Sequence, residues 1–219
     1  MLELKDVCYR YSKGNKDVLK SVTAEMEEGK LHAIVGPSGS GKTTLLSIMA
    51  GLDRPTAGSV FIDGEDLAGL NLDRYRRERI SMIFQAFQLF PLLTTIENVC
   101  FPMEALGVPR KQAEERAREL LNAVGIWEDK DHRYPSNLSG GEQQRVAIAR
   151  ALSTGAKVIL ADEPTGNLDS ANGQAVVDIL QRLAHNQGYC VVIVTHNPEI
   201  ADVADQVMRM RDGVLEVRE

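Results

Sequence analysis

The chain has 219 residues, a formal net charge of −6 and 43% hydrophobic residues. That is enough for one sizeable core and a small second lobe, in the composition of an ordinary soluble protein. The acidic balance excludes a sequence-independent nucleic-acid binder, which needs a basic face. No apolar run approaches the ~20 residues that span a bilayer. No basic-then-apolar leader opens the sequence, so no secretory signal is expected. A role at a membrane would therefore run through a separate partner, without direct insertion. Cys8, Cys100 and Cys190 are far apart and odd in number. They read as reduced, buried small hydrophobes of a cytosolic protein, and no paired Cys/His spacing suggests a metal centre.

Residues 1–30 read as β. Leu2, Leu4, Val7, Tyr9 and Tyr11 alternate with polar residues, and Ser12 to Asn15 is a turn. Val18, Val22 and Met26 carry a second extended segment. Tyr11 is open to two readings, an adenine-stacking ring or an ordinary edge-strand aromatic. Leu31 to Val35 has the short apolar character of a buried strand.

Gly36-Pro37-Ser38-Gly39-Ser40-Gly41-Lys42-Thr43 then fits G-x-x-x-x-G-K-[ST], the phosphate-binding P-loop. Thr44 to Ala50 reads as a helix that Gly51 can stop. Strand, glycine loop and helix converge backbone N–H groups on one point, where the helix dipole favours negative charge. Glycines let the backbone approach phosphate oxygens. Lys42 would reach the β/γ-phosphates, and the Thr43 hydroxyl would hold Mg²⁺.

A loop follows over Asp53–Gly58, then a strand over Ser59–Ile62 and a hairpin turn at Asp63-Gly64. Asn71 can cap a short helix running to Arg79. Ile80–Phe84 is a strand ending at Gln85, which could touch Mg²⁺ or the attacking water, or be a surface glutamine. Ala86–Leu93 is a loop rich in Phe and Leu, to be covered by its own subdomain or by a partner. Thr94 and Glu97 form a capping box. Pro102 is expected to kink or end that helix, and Pro109 to open the next one, which Gly125 stops. Glu114 and Arg118 are expected to pair at i,i+4. Residues 88–150 thus read as a helical block inserted into a β-containing chain.

Ser139 and Glu142 form a second capping-box pattern. The intervening Gly140 and Gly141 each cost ~1 kcal/mol relative to Ala in a helix, so they make sense if phosphate must come close. Lys157–Ala161 is an apolar strand ending in Asp162 and Glu163. An Asp there suits a Walker-B magnesium ligand, and a Glu one residue on can orient or deprotonate water. Gly166–Asp169 is a loop before a helix carrying Val176, Ile179, Leu180 and Leu183 on one face. Tyr189–Thr195 is a further buried strand, and His196 sits at its carboxyl end, where ligands bind in open α/β sheets. A short helix from Pro198 leads to Val207–Met210, an Asp212-Gly213 turn, and Val214–Val217.

Together these residues resemble the nucleotide-binding subunit of ATP-binding cassette (ABC) transporters, over essentially the whole chain. Gln85 falls at the Q-loop, Leu138-Ser139-Gly140-Gly141-Glu142-Gln143 at the signature, Asp169 at the D-loop and His196 at the switch histidine. Tyr11 falls where the family stacks an aromatic on adenine. Pro91-Leu92-Leu93-Thr94, Glu97-Asn98-Val99 and Asp162 to Asp169 look like the branch holding lipoprotein-release, macrolide-efflux and FtsE-type cassettes. Gln85-Ala86-Phe87-Gln88 departs from that branch, and Glu142 stands where many cassettes have Gln.

The resemblance implies an α/β P-loop NTPase (RecA-like) core with an N-terminal antiparallel β subdomain and an inserted α-helical subdomain. As one domain, residues 1–87 and 151–219 would form the core with the β subdomain, and 88–150 the helical subdomain. The resemblance implies an ATPase in which Tyr11, Gly36 to Thr43, Thr44, Ser139, Gly140, Gly141, Glu142 and Asp169 bind ATP. Glu163, His196, Gln85 and Lys42 would serve catalysis, and Thr43, Gln85 and Asp162 the Mg²⁺. Two copies would sandwich two ATP molecules head to tail and drive a separate transmembrane permease, from the inner face of the cell membrane. A non-transport ATPase of FtsE type is the alternative. A translation or repair ABC protein, or a small P-loop GTPase, fits less well, because this chain has one cassette, no long coiled-coil insert and a full signature.

Overall fold

The computed structural model describes residues 1–12 and 16–217. Most of the expected turn at Ser12–Asn15 lies outside the described residues. The chain opens with β1 (Leu2–Tyr9) and β2 (Leu19–Met26), then β3 (Leu31–Val35) and α1 (Lys42–Met49). β4 (Ala57–Ile62) and β5 (Glu65–Asp66) precede α2 (Leu72–Glu78) and β6 (Ile80–Phe84). The helical block holds α3 (Thr95–Ala105), α4 (Arg110–Ala123) and α5 (Gly140–Ser153). The chain closes with β7 (Val158–Asp162), α6 (Ser170–Gln187), β8 (Cys190–Thr195), α7 (Pro198–Asp202), β9 (Gln206–Arg211) and β10 (Val214–Val217).

Two sheets form. One is antiparallel, in the order β2-β1-β4-β5. The other runs β10-β9-β3-β8-β7-β6, parallel throughout except for the antiparallel edge strand β10. Strands buried on both faces need apolar side chains in both phases, and β8 supplies them. Val191 and Ile193 pack with α6 and the helical block. Cys190, Val192 and Val194 pack on the opposite face with Leu45, Ile48 and Met49 of α1, which the antiparallel sheet covers in turn. The helical block shares its core with the first face: Ile96, Ala117, Leu121 and Val146 join Ile83 and Ile159 in one cluster. α5 crosses residue 150 unbroken, so the block meets the core inside a helix.

Several local expectations need correction. Leu2 and Leu4 are in phase with each other but not with Val7, because Asp6 adopts φ 50° and the register shifts between Leu4 and Val7. That bulge keeps all of these apolar residues on the buried face. Tyr11 lies beyond β1 and is 49% exposed. Cys8 is only partly buried, and its Sγ accepts the Ser21 N–H. β4 begins at Ala57 rather than Ser59, while the hairpin turn expected at Asp63-Gly64 does form, joining β4 to β5 at φ 51° and 82°.

α3 runs on past Pro102 to Ala105. Tertiary packing outweighs the lost backbone bond there, since Val99, Cys100 and Met103 are all buried. Pro109 is the N-cap of α4, one position earlier than expected. Glu114 and Arg118 do not pair. Arg110 takes Glu114 at 3.0 Å, and Arg118 takes Asp131 at 3.1 Å. Asp131 is only 2% exposed, so its carboxylate needs a cation more than the solvated Glu114 does.

Candidate functional site

The register of the parallel sheet builds the site. Val35 of β3 lies beside Thr195 of β8, Val194 beside Asp162 of β7, and Asp162 beside Phe84 of β6. Four strands therefore end along one edge. Gly36, His196, Glu163 and Gln85 are the next residues in each case, which brings positions up to 160 residues apart in sequence into one row. This is the carboxyl edge where open α/β sheets bind ligands.

A cavity of about 580 Å³ opens there, lined by Tyr11, Ser38, Gly39, Gly41, Lys42, Thr43, Thr44, Gln85, Asp162, Glu163 and His196. Gly41 caps α1 with φ 108°, and no side chain satisfies the N–H groups of the first turn. Those donors point to an anion. Lys42 lies across its own loop, with Nζ donating to the carbonyls of Gly36 at 2.8 Å and Pro37 at 3.1 Å. Pro37 is exposed on the loop, and the Ser40 hydroxyl is buried without a partner. Gly36 has a further cause beyond phosphate approach: a Cβ there would collide with the Met210 carbonyl of β9.

The Tyr11 hydroxyl lies 3.0 Å from Thr44 Oγ1, and its ring meets Tyr9 edge-on at 5.0 Å. The ring thus stands at the mouth of the cavity, half exposed.

Thr43 Oγ1 donates to Asp162 Oδ1 at 3.4 Å. Burial pushes the Asp162 carboxyl above its ordinary range, and the charge of Glu163 adds to the rise, against the hydrogen bond from Thr43. A divalent cation between hydroxyl and carboxylate would relieve that cost. Among the described residues no group of three or more His, Cys, Asp or Glu could hold a metal. One hydroxyl and one carboxylate, completed by phosphate oxygens and water, is what Mg²⁺ accepts. The residues fit that ion.

Glu163 adopts φ 47°, a left-handed conformation rare outside glycine, and its N–H bonds the Val194 carbonyl at 2.9 Å. Its side chain is held from two sides. Oε1 meets His196 Nδ1 at 2.8 Å, and Oε2 accepts from Thr195 Oγ1 at 3.1 Å. Gln85 is held by Asn167: its Nε2 donates to Asn167 Oδ1 at 3.2 Å, and Asn167 Nδ2 donates to the Gln85 carbonyl at 2.9 Å.

Ser139, Gly140, Gly141, Glu142 and Asp169 do not line this cavity. Ser139 caps α5, with its N–H donating to Glu142 Oε2 at 2.7 Å. Asp169 caps α6 by accepting the Asn172 N–H at 2.9 Å. The two caps are neighbours, because Asn172 sits against Gly141 so closely that a Cβ there would collide with it. Gly141 thus has a packing cause that capping does not supply. Gly140 has room for a Cβ, and packing does not demand its glycine.

Residues the sequence did not single out complete the site. Thr195 steadies Glu163, and Asn167 steadies Gln85. Asn98, fully buried, donates to the carbonyls of Phe90, Leu93 and Thr94 and pins the loop after β6. Arg150 donates to the carbonyls of Gln88 at 2.6 Å and Phe87 at 3.1 Å, both residues at positive φ. Burial lowers the Arg150 pKa. Apart from Asn98, four residues on from the capping-box Thr94, and Asn167, both already inside quoted motifs, these partners are distant in sequence and carry no local signal.

A glycine loop leading into a helix N-terminus that carries Lys42, a Thr–Asp pair and a held glutamate at a strand edge define a P-loop nucleotide-binding protein. Comparison with known proteins narrows the class. Residues 19–166 match the ABC transporter family. An uncharacterized ABC transporter ATP-binding protein of Thermotoga maritima is 47% identical over 221 residues, covering 99% of this chain and 94% of its own. The macrolide export ATP-binding/permease protein MacB of Shigella flexneri is 47% identical over 218 residues, covering 97% of this chain. The chain spans only 33% of that relative's length. The bacterial ABC transporter cassette MJ0796, solved as a dimer, has a TM-score of 0.89 at 40% identity, covering 99% of this chain and 97% of its own. A second structure of that cassette is a post-hydrolysis state bound to ADP and Pi. The chain belongs to the ABC transporter family, as an ATP-binding domain of the cassette fold.

Proposed function

We propose that this chain binds and hydrolyses Mg·ATP between two copies of itself and so drives a separate membrane-spanning permease. The observation that carries this reading is a division of labour. Lys42, Thr43, Asp162, Glu163 and His196 share one cavity, while Ser139 to Gly141 and Asp169 lie outside it. A second copy supplies what one copy lacks.

The geometry supports these roles. The first turn of α1 and Lys42 bind the β- and γ-phosphates, and Tyr11 stacks on the base. Thr43 and Asp162, with Gln85 lining the same cavity, would hold Mg²⁺, which would supply charge neutralisation on the phosphate oxygens. Glu163 accepts a proton from the attacking water, and His196 holds that carboxylate in place. General-base assistance of this kind contributes ~10²–10⁴-fold. The N-terminus of α5 on the second copy faces the γ-phosphate, so cleavage removes the bridge between copies.

The partner surface lies on another face. Between β6, α2 and α3 is a groove of about 600 Å³ lined by Met82, Phe90, Phe101 and Leu106, with Arg76, Arg77 and Arg150 on its walls. Leu92, two residues on from Phe90 in the chain, is 86% exposed. Exposed apolar residues around a groove mark an interaction site. Among the described residues no helix is long and apolar enough to cross a membrane. The groove adjoins the loop that begins at Gln85, linking nucleotide state to the partner. We place the chain on the inner face of the membrane and favour export or mechanical transmission, as in MacB-type systems, over a regulatory ATPase of FtsE type.

The test has two arms. The purified chain should release phosphate from ATP in Mg²⁺, and Lys42→Ala should not. The tagged chain drawn from its native membranes should bring an integral membrane protein with it. Retained hydrolysis in Lys42→Ala removes the phosphate role, and recovery of the chain alone removes the permease.

A further inference from the structure

The N-terminus of α5 carries a charge that its proposed task does not want. Glu142 lies in the first turn, where a carboxylate would repel a γ-phosphate brought by a second copy. Its two oxygens are divided. Oε2 accepts the Ser139 N–H at 2.7 Å and completes the cap. Oε1 meets Lys130 Nζ at 2.7 Å. Lys130 ends a short 3-10 turn, Glu128–Lys130, twelve residues upstream, and the two side chains are 20% and 17% exposed. This is a shielded pair, and solvent screens it less than the exposed surface bridges.

We propose that Lys130 is a positioning residue for nucleotide-driven assembly. It neutralises Glu142, so that Ser139, Gly140 and Gly141 present donors and a positive dipole end to the second copy's nucleotide rather than a net negative charge. The inference rests on the sandwich reading above. It assigns separate duties to the two halves of one carboxylate: Glu142 shapes the helix start, and Lys130 removes the electrostatic cost. The Lys130 bond is also the largest cause holding the Glu142 carboxyl down at about 2, so that carboxylate is ionised at neutral pH.

The test uses Glu163→Gln as parent, with ATP and Mg²⁺ titrated and dimer followed by light scattering. Lys130→Met should raise the ATP concentration at half-dimerisation roughly tenfold. Glu142→Gln keeps the cap, because Gln serves at that position of a capping box, and it should lower the half-point at least about twofold. The double variant should return near the parent, as should Lys130→Arg. A bridge that merely braces the fold predicts a different pattern, in which Lys130→Met and Glu142→Gln both weaken assembly and both melt earlier. The inference is overturned if the two single variants shift the half-point in the same direction, or if Lys130→Met leaves it unmoved. If Lys130→Met folds poorly, the direction of the Glu142→Gln shift still decides. If the parent forms no dimer at any ATP concentration, the sandwich reading itself fails and the inference goes with it.

Discussion

Two helix N-termini in this chain are built in opposite ways. α1 starts at Gly41 with no side-chain cap, and its free donors face the cavity of its own chain. α5 starts at Ser139 with a full capping box, and its first residues do not line that cavity. An uncapped helix start is unstable alone and needs a ligand to satisfy it. A capped one is finished as a fold and has only its dipole and outer donors to offer. The contrast separates a site that binds nucleotide within one copy from a surface that recognises nucleotide already bound by another.

Variants can break that contrast. The largest effect is expected for Lys42→Ala. Losing a charge-assisted contact of roughly 1.5–3 kcal/mol to each of several phosphate oxygens should reduce ATP affinity at least ~100-fold, read by calorimetry. Unchanged affinity would place the triphosphate elsewhere. Ser139→Glu should act on assembly rather than first binding. Hydrolysis should fall roughly 10–100-fold while a single copy keeps its ATP affinity within about twofold, since Ser139 is absent from its cavity. Equal losses in both measurements would merge the two helix starts into one site. Tyr11→Ala should be mildest. Stacking of a base on an aromatic contributes ~1–3 kcal/mol, and the half-exposed ring of Tyr11 puts it at the low end, about fivefold in affinity. No change in fluorescent-ATP binding would return Tyr11 to an ordinary aromatic beside Tyr9.

The legible half of the site was contiguous. Gly36 to Thr43 writes its strand, loop and helix in one stretch, and Asp162-Glu163 follows directly on an apolar strand. Both capping boxes were readable because Thr94 with Glu97, and Ser139 with Glu142, are local patterns. Pairings decided by tertiary burial were not readable. Arg118 is drawn to Asp131 because a buried carboxylate outcompetes the solvated Glu114 that spacing favours. Asn167 reaches Gln85 across 82 residues. Gly141 is a glycine because Asn172 of another helix occupies the space of its Cβ. Pro102 stayed inside its helix because the face it sits among is buried. In each case the sequence names the residue type, and the packed neighbour decides its use.

One measurement bears on the centre of the account: the mass of Glu163→Gln by light scattering in saturating Mg·ATP. Glu163 is held by His196 and Thr195 above the cavity, so replacing its carboxylate should block cleavage and leave binding intact. The account predicts a mass near twice the monomer with ATP and a return to the monomer with ADP. A particle that stays monomeric with ATP bound would mean that two copies do not share the nucleotide, and the α5 N-terminus would then have no partner to meet.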